Sequence, residues 1–167
     1  MKHFFLFFIT IGFANQFCNA QYNPKIISAL QHADSVILIS HKDEYGIKKP
    51  DQIIQNDCPL IVNGNINPKI VLREAILNRT QLNNLSSILK RPVYRTQLVP
   101  TKCDEPHNSI LIYRGSILSY VDICFGCEKI HLSKDLVYTE FEEINMNEKK
   151  WKDLEALFIK LHVDYKN

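Results

Sequence analysis

Cys103, His107, Cys124 and Cys127 are the residues whose types and spacing could do chemistry: Cys, three residues, His, sixteen residues, Cys, two residues, Cys. Thiolate and imidazole donors in two short chelating pairs are what a tetrahedral zinc site takes, so the quartet is a candidate metal-ligand set with zinc as the cofactor. The same thiols suit a structural disulfide if the chain meets an oxidising compartment, and Cys103 to Cys124 or Cys127 is then the favoured bridge. A third chemistry is thiol–disulfide exchange by Cys124-Phe125-Gly126-Cys127. Redox pairs of that kind open a helix whose N-terminus lowers the thiol pKa, whereas residues 128–132 read no more helical than extended.

These residues meet only if the segment between them folds back on itself. Ser109 to Tyr113 and Ile117 to Ile123 are rich in β-branched and aromatic residues, with Arg114-Gly115-Ser116 between them. The pattern predicts a β-hairpin whose turn is Gly115-Ser116, Gly supplying the positive φ of a type II′ turn. Tyr113 then faces Leu118, Ser109 faces Asp122 and His107 faces Cys124. Alternation puts His107, Ser109, Asp122 and Cys124 on one face and Ile110, Ile112, Val121 and Ile123 on the other. Pro106 interrupts the ladder and leaves Cys103 in the loop beyond. Cys124, His107 and Asp122 also resemble a nucleophile, a base and an orienting acid, but nothing nearby forms an oxyanion hole, so no catalytic residue is assigned. His32, His41, His131 and His162 read as surface or helix-end groups, His131 alone being near enough to substitute as a ligand.

Around the hairpin the sequence predicts an α+β fold: an antiparallel sheet with hairpin 109–123 at its centre, covered on both sides, and two or three helices mainly on one face. Asn23-Pro24 caps a first helix with Ile26, Ile27, Leu30 and Ala33 on one side. Val36 to Ile39 form a buried strand ending near Ser40-His41. Residues 42–59, with Gly46, Pro50, Cys58 and Pro59, read as a loop. Leu60 to Val62, a turn at Asn63-Gly64-Asn65, and Ile70 to Leu77 read as a strand, a turn and its partner strand. Thr80 caps a helix bearing Leu82, Leu85, Ile88 and Leu89 before Pro92 stops it. Val93 to Leu98 are extended. After an acidic patch at Glu140, Glu142 and Glu143, Asn147 caps a closing helix carrying Trp151, Leu154, Leu157, Phe158 and Leu161, a stripe best explained by core packing.

The chain begins with Met1-Lys2-His3, an apolar run from Phe4 to Ala14 and a small-residue end at Cys18-Asn19-Ala20. That is the layout of a secretory signal peptide cleaved after Ala20, too short an apolar run to span a bilayer. Residues 1–20 are therefore expected to leave, and residues 21–167 to form a single α+β domain with no stable membrane span. Of the 167 residues 46% are hydrophobic and 23% charged, which excludes a disordered chain. The net charge of +2 loses only Lys2 on processing, and no basic run exceeds a pair, so nucleic acid is not expected as a partner.

The string Cys103-Asp-Glu-Pro106-His107, with Ile110 to Tyr113 and Asp122-Ile-Cys124-Phe125-Gly-Cys127 after it, resembles a pattern of small exported bacterial proteins of unassigned function. The likeness covers residues 101–131, leaves Cys58 outside, carries no catalytic role over, and implies a Gram-negative cell envelope, periplasmic or extracellular. Two functions remain in view. One is a non-catalytic envelope module that binds a protein partner, its Cys/His cluster stabilised by disulfide or zinc. The other is a thiol- or metal-dependent periplasmic enzyme using Cys124, Cys127 and His107. No Gly-rich phosphate loop or paired-carboxylate motif appears, which favours the module.

Overall fold

The computed structural model describes residues 22–42, 59–91, 105–137 and 146–165. The expected signal peptide, the loop 43–58 with Cys58, the extended segment 93–98, Cys103 and the acidic patch 140–143 lie outside the described residues.

The described chain runs α1 (Pro24–Gln31), β1 (Ser35–His41), β2 (Ile61–Val62), β3 (Asn65–Ile66), β4 (Val71–Ile76), α2 (Arg79–Lys90), β5 (Asn108–Arg114), β6 (Ile117–Cys124), β7 (Lys129–Leu132) and α3 (Glu148–Lys160). An antiparallel five-stranded sheet has the order β4-β1-β5-β6-β7, and β2 with β3 makes a separate small hairpin. The fold is thus α+β, with β5 in the middle of the sheet. No helix among the described residues is long and apolar enough to cross a membrane.

The central hairpin has the expected register: Tyr113 pairs with Leu118, Leu111 with Tyr120 and Ser109 with Asp122. Gly115 takes φ +58° while Ser116 stays out of the left-handed region, which is the II′ pattern. The Asp34 carboxylate accepts from the Gly115 N–H at 2.6 Å, and so ties the turn to the start of β1. Strand alternation then sorts side chains to two faces. Val36, Leu38, Ile110, Ile112, Val121 and Ile123 meet Ile26, Ile27 and Leu30 of α1, Leu85, Ile88 and Leu89 of α2, and Trp151, Leu154, Leu157 and Phe158 of α3 in one core. On the opposite face Ile39 and Leu111 pack with Leu60 and Ile70 in a smaller cluster.

Local signals account for the helix ends. The Asn23 side chain accepts from the N–H groups of Lys25 and Ile26, and its amide donates to the Leu136 carbonyl, pinning α1 to the segment after β7. Asn147 caps α3 by accepting from Lys150 N–H. The expected cap at Thr80 is corrected: Asn78 is the cap, and it forms a capping box in which Asn78 Oδ1 accepts from Gln81 N–H and Gln81 Oε1 from Asn78 N–H. A second correction concerns residues 60–77. Asn63 and Gly64 both have positive φ, 52° and 77°, and a two-residue turn of that type closes at once onto Asn65–Ile66. Val71–Ile76 instead joins the large sheet, with a bulge where Ser40 faces Arg73 and His41 faces Val71.

A sealed polar network and a bridged turn

β1 continues through His41, and because Ile39 pairs with Ser109, alternation places His41 on the same face as Ser109 and Asp122. The three side chains interlock. His41 Nε2 lies 3.0 Å from Asp122 Oδ1, and Ser109 Oγ donates to the same oxygen at 2.8 Å. His41 Nδ1 lies 2.9 Å from the Lys42 carbonyl. A carbonyl on one side and a carboxylate on the other give each ring nitrogen an oxygen within hydrogen-bond distance. The network is closed to solvent, with His41 0%, Ser109 0% and Asp122 4% exposed.

The reading of His41 as a surface group is therefore corrected: it is among the most buried side chains of the sheet. The signal was present in the sequence. A strand buried on both faces that runs on into a histidine needs a polar partner, and Asp122 is the one carboxylate between Ile117 and Cys124. Asp122 does not serve His107. The His107 ring stacks flat on Tyr165, with centroids 4.0 Å apart and planes 7° apart, and sits 6.5 Å from the His41 ring. Its Nδ1 is buried without a hydrogen-bond partner among the described residues. The grouping of Cys124, His107 and Asp122 as nucleophile, base and acid is not assembled: the carboxylate faces His41 and the serine hydroxyl, and the serine donates to it directly.

Cys124 ends β6 and Cys127 lies in the turn that leads to β7. Their sulfurs are at bonding distance, with Cα atoms 5.2 Å apart, and the Cys127 N–H points at Cys124 Sγ from 3.2 Å. Where the sequence favoured Cys103 as partner, the two cysteines of the turn close on each other. They are 5% and 3% exposed. The residues that follow are strand, not helix, so the pair does not open a helix. Between them, Phe125 is held edge-on against Trp151 at 6.2 Å and Phe158 at 5.3 Å. The bridged turn is thus a mount that presents one aromatic ring to α3.

Of the four expected zinc ligands, His107 and Cys124 are brought to one end of the hairpin by the observed register, and Cys127 follows in the turn; Cys103 lies outside the described residues. Among the described residues no group of three or more His, Cys, Asp or Glu side chains could hold a metal ion. A cleft of 260 Å³ lies elsewhere, lined by Lys25, Ser28, Ala29, Ile112, Arg114, Ser119, Asp135 and Leu136. There Ser119 donates to Asp135 at 2.5 Å; burial of Asp135 raises its pKa, but bonds from Ser119 and Ser133 outweigh this and lower it on balance. No protein family model, curated protein or solved structure matches the chain.

Proposed function

We propose that the chain is an exported, non-catalytic binding module of the bacterial cell envelope, with a protein as its partner. One observation carries the non-catalytic part. The residues with the chemistry are spent on holding shape: Cys124 and Cys127 are buried and at bonding distance in a turn whose Phe125 ring docks on α3, and His41, Asp122 and Ser109 hydrogen-bond out of solvent. A reactive thiol needs access and a lowered pKa. Export rests on the layout of residues 1–20 and on the likeness of residues 101–131 to exported proteins. The near balance of charge argues against nucleic acid as partner.

The competing reading is a thiol- or metal-dependent periplasmic enzyme using Cys124, Cys127 and His107, and the buried Nδ1 of His107, without a partner among the described residues, is the observation in its favour. Native, non-reducing mass spectrometry of the exported protein separates the two. The module reading expects a chain beginning at Gln21, two hydrogens lost at Cys124–Cys127, no bound metal, and no turnover of a dithiol substrate. Bound zinc with free thiols at Cys124 and Cys127, or catalysed dithiol oxidation, would overturn it.

A further inference from the structure

Among the described residues β4 is the edge of the large sheet, hydrogen-bonded to β1 on one side only. Exposed edges template pairing with another chain, and natural sheets blunt them with charge, proline, shortness or bulges. Here the blunting is partial. The bulge at Leu72 and the adjacent charges are present, but Leu72 is 45% exposed and Ile76 68% exposed, and beyond the bulge the alternation of β4 puts Glu74 and Ile76 on one face. A large exposed apolar side chain beside a carboxylate on one face of an open edge is more than a solvated strand requires. No ion pair neutralises Glu74 among the described residues, and its charge is one of the causes, after burial, that hold the Tyr113 phenol above its ordinary pKa.

A second copy of the chain is a poor occupant. When a strand pairs with its own copy about a two-fold axis, facing residues share a sheet face, so the registers that align most of β4 with itself centre on Glu74 or on Arg73. Each sets like charges directly opposite, which destabilises the pair. The complementary strand carries a cation where β4 carries Glu74.

We propose that β4 is the docking strip of the binding module: an extended segment of a different protein adds as a sixth strand, with a Lys or Arg opposite Glu74 and an aliphatic side chain opposite Ile76. Main-chain hydrogen bonds along the edge supply the affinity, and the alternate side chains supply the choice. This deepens the module reading and rests on it.

The test uses the oxidised full-length protein and two synthetic peptides of alternating threonine and isoleucine, one with lysine and one with glutamate at the central position. Amide exchange and NMR shifts are expected to change along residues 71–76. The lysine peptide is expected to bind about fivefold to tenfold more tightly, the difference an opposite-charge against a like-charge cross-strand pair makes. Glu74→Lys, at an exposed site that the fold does not use, should invert that preference, and Ile76→Thr should weaken both peptides. Equal binding of the two peptides, shifts confined to other elements, no binding, or self-association of the protein through β4 would overturn the strip. Dithiol turnover would overturn the module reading instead, so the two failures are distinguishable.

Discussion

Asp122 accepts from both Ser109 and His41 with almost no water in reach, so its loss would leave a buried imidazole and a buried hydroxyl without their acceptor. Leaving a buried polar group without its partner costs about 1–3 kcal/mol, because the group keeps its desolvation penalty. Asp122→Ala should therefore lower unfolding free energy by about 3 kcal/mol in urea titration, since two buried groups lose that acceptor. Lys150 is a second buried ionisable residue with a different consequence. Desolvation first, and the Arg91 guanidinium second, push its pKa down from 10.5 to about 8. Below pH 8 the folded state carries the full penalty of a buried ammonium. Between pH 8 and 10.5 the unfolded chain binds a proton that the folded chain does not, so stability must rise with pH across that window. The rise should be about 2 kcal/mol after allowance for screening, and Lys150→Met should abolish this slope in unfolding measured across the window.

At the scale of the element, the bridged turn and α3 act on one another through a single ring. Closing so short a loop constrains the unfolded chain modestly, so replacing both cysteines, Cys124→Ser with Cys127→Ser, should cost about 2 kcal/mol by the chain-entropy relation. Phe125→Ala should cost about 2 kcal/mol through its lost contacts with Trp151 and Phe158. The two changes share one mount, so their combined cost should fall short of the sum by at least about 0.5 kcal/mol in a double-mutant cycle, whereas additivity would mean that the bridge does not orient the ring. Much of this element-level picture was legible beforehand, because helix caps and hairpin turns are local: Asn23, Asn147 and Gly115 declare themselves within a few residues. The capping box of α2 was equally local and was misplaced by two residues, since Thr80 is also a good cap and only the reciprocal Gln81 contact decides between them.

Across the whole molecule, legibility fades with distance along the chain. The pairing of Ser109 with Asp122 follows from a two-residue turn, but the arrival of His41 at Asp122 depends on β1 lying beside β5, and no local pattern encodes which strands become neighbours. The same holds for β4, whose residues read as the return strand of a hairpin until a tighter turn claims the partner first. Strand order has a further consequence in time. β1 is the first strand of the described chain, yet it sits between β4 and β5, and its pairing with β5 must wait until residues 108–113 exist as a ribbon. The meander β5-β6-β7 is built from near neighbours and closes at little entropic cost, while β1 has to be captured across some seventy residues. A fragment ending before β5 should show no cooperative unfolding transition by circular dichroism, and the full chain should. A nascent chain thus leaves the β5 side of β1 open until its later part arrives, although β4 is already at hand to pair with the other side.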